Sequence, residues 1–442
     1  MKFPLTFSAL LLVMIFTGFI GNLSAQITDT LTSRFLENLS CEKYGEAVAF
    51  FSDDLSESYD TAWLQKKHEL YNNAFGQAEI RDLVLKSFYG NKHIVCRFMW
   101  YGDQSVKFRF VIQGDEIAEI SIGKESITNA YSLPEYAGRK DVVLRPVLIR
   151  SGKYALPGEI VEPAGESAGK WVVFVHGSGP ANRDEAMFGN RPFKDIAYGL
   201  AKHGISSLRY DKNTYLFGPE LSKEDGMTMW DETGNDAVSA FNYLKKFEQV
   251  KSENIYMLGH SQGAMMMPAI CDSIEAGGAI MIAGNARPLH KLMYEQFRFL
   301  MKQDGLSKAE KRRLDIQKEH IENLKKLKNM PVDSVDFAMP YGLPASYWKY
   351  LLEYDQTERI KEIDEPVLLL QGKGDYQVRM RDFRKFRRAL LFSDLEWKAI
   401  AYDKVNHLLF ENQGKPSKEE YNRNENVEGY IIEDIANWIQ NK

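Results

Sequence analysis

Cysteine is scarce in this sequence, and long hydrophobic runs are nearly absent from it. The 442 residues include 3 cysteines, too few for a scaffold held together by disulfides. Lys and Arg total 56 against 61 for Asp and Glu, which leaves a net charge of −5 and excludes a chain-wide basic surface for nucleic acid. Hydrophobic residues make up 44% of the chain, which predicts a globular protein that buries a large core in more than one domain.

The one long apolar stretch lies at the amino terminus. Lys2 precedes it, it runs from Leu5 to Ile20, and small residues follow up to Ala25. This pattern predicts a signal peptide over residues 1–25, although the stretch is nearly long enough to act as an uncleaved anchor. The sequence therefore predicts an exported protein, periplasmic or extracellular, with no stable membrane span after cleavage. In such a compartment a Cys41–Cys96 disulfide is an open alternative, because spacing alone cannot establish it.

Residues 28–123 have the pattern of a small α+β domain. Apolar residues recur first at helical spacing and then in strand-like runs separated by Gly-Asp pairs, which are typical of hairpin turns. The predicted helices cover Phe35–Phe51 and Trp63–Phe75; the predicted strands cover His93–Trp100, Val106–Ile112 and Glu116–Ile122, with turns at Gly102-Asp103 and Gly114-Asp115. We find no nucleophile, base and acid that could act together in this segment.

Residues 134–442 predict an α/β domain, because short apolar runs alternate with helical segments. Runs of this length and composition are typical of buried parallel strands, and the helices between them supply the crossovers of a doubly wound, mostly parallel sheet. The predicted strands are Trp171–Val175, Ile205–Leu208, Ile255–Leu258, Ala279–Ala283 and Val367–Leu370, and the helices are Lys194–His203, Glu232–Phe247, Gln262–Glu275 and Val378–Leu391.

The alternation pauses between two of these strands, and we interpret residues 286–350 as a helical cap insertion. An insertion at this point is expected to lie over the carboxyl edge of the sheet, where ligands bind. Its aromatic residues either line a pocket for substrate or pack the cap onto the core. They are Tyr341, Tyr347, Trp348, Tyr350 and Tyr354.

The pattern G-x-S-x-G occurs twice, and its context decides between the two matches. Residues 165–169 contain Ser167 but precede a strand, so that match is interpreted as a surface loop. Residues 259–263 read Gly-His-Ser-Gln-Gly and stand between a predicted strand and a helix, which is the setting of a nucleophile elbow. Ser261 is therefore the predicted nucleophile.

A serine nucleophile needs a base, and the base needs a carboxylate that orients it. Of the 8 histidines, only His407 lies beyond the last central strands. Asp375 follows the carboxyl end of a predicted strand and is the predicted acid, with Asp403 as the main competitor. Ser261, Asp375 and His407 stand in the chain order expected for a nucleophile-elbow hydrolase.

An acyl-transfer intermediate also needs N–H groups that hold its oxyanion. One is predicted from Gln262, which follows the nucleophile, and the other from Ser178, with Gly179 close behind. The sequence contains neither an H-E-x-x-H motif nor paired cysteine ligands, so no metal or other cofactor is predicted.

Taken together, these motifs resemble the α/β-hydrolase superfamily, and more narrowly exported bacterial serine hydrolases of the serine-aminopeptidase-like or dienelactone-hydrolase-like kind. Such proteins often carry an amino-terminal module of the DUF3887 type, which residues 28–123 resemble in length and order. Asn182 and Asn213 depart from the acidic and basic residues more usual at their positions. The matching stretches are 176–180 (His-Gly-Ser-Gly-Pro), 190–195 (Asn-Arg-Pro-Phe-Lys-Asp), 209–212 (Arg-Tyr-Asp-Lys), 259–263, 374–378 (Gly-Asp-Tyr-Gln-Val) and 406–407 (Asn-His).

The resemblance implies an enzyme that cleaves a small-molecule carboxylic ester through an acyl-enzyme. The same triad could serve an aminopeptidase-like serine peptidase, which would need an acidic residue such as Asp184 or Glu185 for the substrate amine, or an acyl thioesterase. A non-catalytic binding protein on the same fold is the alternative from another class, and the intact triad argues against it. The oligomeric state and the role of the first domain stay open.

Overall fold

The computed structural model describes residues 29–89, 92–101, 104–125, 131–303 and 305–442. The chain divides after residue 129 into two compact units. The predicted signal peptide and its cleavage site lie outside the described residues. Within the described ranges no helix combines the length and the apolar character needed to cross a membrane.

In its described residues, the first unit contains four helices and an antiparallel sheet. Strands β1 to β4 pair in chain order, and the helices cover one face through a core that includes Phe35, Phe108 and Phe110. The helices are α1 (29–40), α2 (Tyr44–Val48), α3 (Asp53–Ser58) and α4 (Thr61–Phe75); the strands are β1 (Glu79–Tyr89), β2 (Lys92–Tyr101), β3 (Gln104–Gln113) and β4 (Glu116–Glu125). The single helix predicted over Phe35–Phe51 is wrong, because a turn separates α1 from α2.

The structure shows the state of two cysteines and one predicted turn in this unit. Cys41 is exposed and Cys96 is buried, and they are not joined to each other, so the structure does not contain the disulfide that was left open. The predicted turn at Gly114-Asp115 joins β3 to β4, whereas Gly102-Asp103 lies outside the described residues.

The second unit is built on a mostly parallel sheet. Its strand order is β5-β6-β8-β7-β9-β10-β11-β12, with the last six parallel and β6 antiparallel to both β5 and β8. The strands are β5 (Val142–Ser151), β6 (Tyr154–Pro163), β7 (Trp171–Val175), β8 (Ser206–Tyr210), β9 (Ile255–His260), β10 (Gly278–Ile282), β11 (Val367–Gly372) and β12 (Trp397–Tyr402). The predicted α/β class is confirmed, and the hairpin of β5 and β6 is an addition to it.

Helices pack against this sheet, and its central strands are buried on both faces. In β7, for example, Val172 and Phe174 point to one face and Val173 and Val175 to the other, and all four are fully buried. This burial explains why the central strands have nearly continuous apolar runs. The helices around the sheet are α5 (Pro192–Lys202), α6 (Asn213–Leu221), α7 (Asn235–Phe247), α8 (Gln262–Cys271), α13 (Met380–Leu390) and α14 (Gly429–Gln440).

The segment inserted between β10 and β11 consists mainly of helices. Trp348 packs with Leu324, Leu327 and Met339 in an apolar cluster inside the insertion. Tyr354 donates from its hydroxyl to the Met265 carbonyl at 2.8 Å and so contacts helix α8. The helices are α9 (Leu289–Gln303), α10 (Lys308–Leu327), α11 (Ala345–Glu353) and α12 (Gln356–Arg359).

Candidate active site

Ser261 lies in the sharp turn between β9 and α8. Its backbone has φ 54° and ψ −113°, a conformation that is costly for a residue with a side chain. A Cβ on Gly263 would lie 2.2 Å from the Val175 carbonyl oxygen, and one on Gly259 would lie 2.6 Å from backbone atoms of Gly263. Glycine is therefore required on both sides of the serine. Ser167, by contrast, is exposed in a loop before β7.

His407 and Asp375 meet at the carboxyl end of the sheet. His407 Nδ1 lies 2.7 Å from Asp375 Oδ2, and both side chains are buried. The other carboxylate oxygen accepts from the backbone N–H groups of Gln377 at 2.8 Å and Val378 at 2.9 Å. Asp403 is 81% exposed and pairs with Lys373, so the structure brings Asp375, and not its competitor, to the imidazole.

The loop that carries His407 contacts the turn of Ser261 through His260. The two imidazole rings lie 4.6 Å apart between centroids, and His260 Nε2 lies 2.9 Å from the His407 carbonyl oxygen. Among the described residues, no hydrogen bond joins Ser261 Oγ to the His407 imidazole. A nucleophile–base hydrogen bond commonly tightens only when substrate binds.

His260 is held in its charged form by two acceptors. Its Nδ1 lies 2.9 Å from Glu185 Oε2, and its Nε2 faces the His407 carbonyl, so both ring nitrogens carry a proton. Burial by itself would lower the pKa of His260, but the Glu185 carboxylate outweighs burial and raises that pKa above its usual value. Glu185 Oε1 also accepts from the Gly177 N–H at 2.6 Å, so this pair links the elbow to the loop after β7.

The loop after β7, residues 177–179, is fixed by a buried ion pair. Lys212 Nζ donates to the carbonyl oxygens of Gly177 at 2.8 Å and Gly179 at 3.2 Å, and to Glu232 Oε1 at 2.7 Å. The Gly179 N–H also donates to Glu232 Oε1, at 2.9 Å. The Gly177 and Gly179 N–H groups are therefore occupied, and Gly179 is not available as an oxyanion donor.

Ser178 and Gln262 keep the N–H groups that the sequence nominates as oxyanion donors. Neither N–H has an acceptor among the described residues. The Gln262 N–H is the first of helix α8, where no intrahelical acceptor exists. A Cβ on Gly177 would lie 3.3 Å from Ser261 Cβ, which shows that the loop of Ser178 adjoins Ser261.

Glu232 receives one further hydrogen bond, from the insertion. The Tyr347 hydroxyl of α11 donates to Glu232 Oε2 at 2.7 Å. Burial would raise the pKa of Glu232, but the Lys212 ammonium and these hydrogen bonds outweigh it and hold that pKa below its usual value. The site therefore contains a carboxylate that stays ionised although it is buried.

The acidic residues considered for a substrate amine are already paired. Glu185 binds His260, and Asp184 forms an ion pair with Arg209, which also contacts Glu159. Asn182, one of the two departures from the family pattern, accepts from the Asp184 and Ala186 N–H groups at 3.1 Å each. Asn213, the other departure, donates through Nδ2 to the Asp231 carbonyl at 2.6 Å. Both asparagines have structural contacts.

A cavity of about 610 Å³ lies beside the loop that follows Asp375. Helix α9 supplies Phe297, Leu300 and Met301 to its wall, and Tyr376 faces them from the loop. None of the five aromatic residues singled out between 341 and 354 lines this cavity. Tyr347 and Tyr354 are buried and bond to Glu232 and Met265 outside the insertion, so for these two the packing alternative describes the structure. Trp348 is also buried but packs inside the insertion.

The sequence does not indicate how two groups of residues in this site pair with one another. They are the pair Glu185 and His260, and the trio Lys212, Glu232 and Tyr347. The one available signal was the Arg-Tyr-Asp-Lys stretch at 209–212, whose charges directly follow an apolar run. Among the described residues, no group of three or more His, Cys, Asp or Glu side chains is arranged to hold a metal ion.

Comparisons with solved structures return esterases and a peptidase. The esterase domain of a Rhodothermus marinus protein is 14% identical, with 68% of this chain and 98% of that chain covered and a TM-score of 0.41. Est1E from Butyrivibrio proteoclasticus is 16% identical, with 67% and 96% covered and a TM-score of 0.40. A puromycin-hydrolyzing peptidase from Mycobacterium tuberculosis is 14% identical, with 79% and 45% covered and a TM-score of 0.44.

A curated esterase is similar to this protein in sequence over nearly the whole chain. No family model matches the chain. Esterase EstD from Thermotoga maritima is 30% identical over 444 aligned residues, which cover 99% of this chain and 100% of EstD. Because the identity extends over both chains from end to end, this protein belongs to the esterase family of EstD and is a carboxylic ester hydrolase.

Proposed function

We propose that the protein is an exported serine esterase with an α/β-hydrolase fold, in which Ser261, His407 and Asp375 form the catalytic triad. The observation that carries this proposal is the buried 2.7 Å contact between His407 and Asp375, in a loop fastened to the elbow of Ser261. The contact leaves the other imidazole nitrogen, Nε2, to exchange a proton with the serine.

Acylation follows from this geometry. His407 Nε2 takes the proton of Ser261 Oγ as the oxygen attacks the ester carbonyl carbon, and the carbonyl oxygen becomes an oxyanion. The Ser178 and Gln262 N–H groups donate to that oxyanion. When the intermediate collapses, the bond to the alcohol oxygen breaks, and His407 returns the proton to the leaving alcohol.

Deacylation repeats these steps with water as the nucleophile. His407 takes a proton from water, the resulting hydroxide attacks the acyl carbon, and the same N–H groups hold the second oxyanion. The bond to Ser261 Oγ then breaks, His407 returns the proton to the serine, and the carboxylic acid leaves. Asp375 accepts the hydrogen bond from His407 Nδ1 throughout and so keeps that proton in place.

The charge pairs in the site favour an ester over an aminopeptidase substrate. An aminopeptidase needs a free carboxylate for the substrate amine, and both Asp184 and Glu185 are bound to internal cations. A panel of matched esters, thioesters and aminoacyl amides tests this preference. We expect kcat/KM to be highest for the esters, and faster cleavage of the aminoacyl amides would contradict the assignment.

Replacement of Ser261 by alanine tests the triad directly. We expect Ser261→Ala to lose nearly all ester turnover and all labelling by a fluorophosphonate while its melting temperature stays near that of the parent. Ser167→Ala is the matched control, since it alters the serine of the other G-x-S-x-G match, and it should leave turnover unchanged. Labelling of the Ser261→Ala protein would overturn the proposal.

Export is proposed from the sequence of residues 1–25 alone. Expression of the full chain in a bacterium, followed by fractionation and amino-terminal sequencing, tests it. We expect the mature protein outside the cytoplasm to begin at Gln26. Recovery of the enzyme in the cytoplasm with Met1 retained would refute export, without bearing on the triad.

A further inference from the structure

A hydroxyl group of the insertion bonds to Glu232, which in turn bonds to the loop at residues 177–179. Tyr347 is 1% exposed, and its hydroxyl donates to Glu232 Oε2 at 2.7 Å. The side chain of Gln262 faces the same hydroxyl and donates to Thr233 Oγ1 at 3.1 Å, next to Glu232 in the chain. The Tyr347 hydroxyl therefore faces Gln262, which supplies one of the two nominated oxyanion donors. It also bonds to Glu232, which holds Gly179 next to the other donor, Ser178.

Glu232 connects the Tyr347 hydroxyl to the loop at residues 177–179. Its Oε1 accepts from Lys212 Nζ and from the Gly179 N–H, and Lys212 in turn donates to the carbonyls of Gly177 and Gly179. Ser178 lies between these two glycines, so the direction of its N–H depends on where both peptide groups are held.

We propose that Tyr347 is a positioning residue for the oxyanion hole, which acts through Glu232 on the Ser178 N–H. Helix α11 of the insertion therefore takes part in assembling the catalytic site, in addition to any contact of the insertion with substrate. The inference rests on the proposed triad and on the two nominated donors.

The expected consequence of losing this hydroxyl follows from burial. Without it, Glu232 Oε2 is a buried carboxylate oxygen that lacks its partner, which is costly. The carboxylate gains by turning toward another donor, and Gly179 and Ser178 move with it. A misplacement of about 1 Å at a reacting group costs up to about 100-fold in rate, so we expect about a tenfold fall in kcat for Tyr347→Phe.

The experiment compares Tyr347→Phe with Tyr354→Phe in the full chain. Tyr354 is a matched control because it is also buried, lies just after α11, and donates its hydroxyl to a single acceptor, the Met265 carbonyl. We expect Tyr347→Phe to lower kcat about tenfold with KM changed less than twofold, and Tyr354→Phe to alter both less than twofold. Melting temperatures of both variants measure the structural cost of each lost bond.

A second readout isolates the oxyanion hole. A trifluoromethyl ketone forms a hemiketal oxyanion with the serine, whereas the product carboxylate binds without one. If Tyr347 positions the donors, Tyr347→Phe weakens the ketone by the same factor as it lowers kcat/KM and leaves the product affinity unchanged. A variant with parental affinity for the ketone, or with ketone and product weakened equally, overturns the inference.

Action through Glu232 is tested by a double-mutant cycle. Glu232→Gln keeps an acceptor for the tyrosine and removes the charge, so the effects of Tyr347→Phe and Glu232→Gln on ketone affinity should be less than additive. Additive effects in folded variants would refute the path through Glu232. Failure of the triad is distinguishable, since it requires a Ser261→Ala protein that still turns over ester.

Discussion

At the scale of single residues, Asp375 is the most tightly defined member of the proposed triad. Its carboxylate accepts from two backbone N–H groups and from the Gln371 amide as well as facing His407. An acceptor held in this way can present only one orientation to the imidazole. The orientation of the Asp375 carboxylate is therefore set by these neighbouring residues as well as by its contact with His407.

The first prediction concerns this carboxylate. Asp375→Asn should lower kcat about 10³- to 10⁴-fold, because an amide in this position favours the wrong tautomer of His407. Steady-state hydrolysis of an activated ester measures the loss. Asp403→Asn is the control and should stay within twofold of the parent, since Asp403 is exposed and pairs with Lys373. A larger loss for Asp403→Asn would show that the acid is misassigned.

The sequence alone nominates Ser261 and Asp375 because each follows a strand that an apolar run indicates, and His407 because it lies beyond the last central strands. It does not reveal the residues that hold them. Glu185 and His260 are 75 positions apart, and Tyr347 and Glu232 are 115 apart. A charge that will be buried against a distant partner has the same local pattern as one on a surface, so these pairs cannot be predicted without the fold.

At the scale of elements, the elbow depends on close contact between β7, β9 and the start of α8. At Gly259 the backbone of β9 lies so close to α8 that a Cβ would be 2.6 Å from backbone atoms of α8. The backbone of α8 cannot shift to make room for a side chain at position 259 without displacing Ser261.

The second prediction uses the two G-x-S-x-G matches against each other. Gly259→Ala should destabilise the fold by about 1–3 kcal/mol and remove most turnover, because the overlap is with backbone. Gly165→Ala changes the equivalent glycine of the loop match, where a Cβ would meet nothing within 4 Å, and should be nearly neutral. Thermal melts and ester assays of both proteins decide this, and an equal effect of the two changes would contradict it.

The third prediction concerns the cavity beside α9. Leu300→Trp should fill part of it and lower kcat/KM for long-chain acyl esters relative to acetate esters about tenfold, the scale of one or two methylene contacts. Ile316→Trp on the exposed side of α10 is the control and should leave the ranking unchanged. An unchanged ranking for Leu300→Trp would separate this cavity from acyl-chain recognition.

The central strands β7, β9, β10 and β11 could be predicted nearly to their ends, since they are buried on both faces and read as continuous apolar runs. The hairpin of β5 and β6 was missed for the opposite reason. Residues along β5 are mostly exposed or half-buried, and the strand contains Arg145 and Pro146. An edge strand of this kind has too weak a pattern to separate from a loop.

At the scale of the whole molecule, several buried ionisable groups make stability depend on pH. Burial lowers the pKa of His176 to about 4, below the value of about 6.5 expected in the unfolded chain. The unfolded state therefore binds this proton first, and stability falls as pH drops from about 6.5 to about 4. Asp195 acts in the opposite direction, because burial raises its pKa to about 7.

The fourth prediction isolates the histidine. Gln can keep the hydrogen bond that His176 makes with the Asn182 carbonyl at 3.1 Å, but it cannot take up a proton. His176→Gln should lose less stability than the parent between pH 7 and pH 4, by an amount on the order of 3 kcal/mol. Denaturant melts at several pH values measure it, and identical pH profiles for the two proteins would show that His176 does not control this range.

Residues near the end of the second unit form hydrogen bonds with residues much earlier in that unit. The Tyr136 hydroxyl donates to the Val427 carbonyl at 2.7 Å, and the Asn190 amide donates to the Tyr421 carbonyl at 2.6 Å. His407 is also among the last parts of the site to be synthesised. A nascent chain synthesised only as far as the proposed nucleophile Ser261 therefore lacks the proposed base, and we expect it to hydrolyse no ester until His407 has been added and has folded against Asp375.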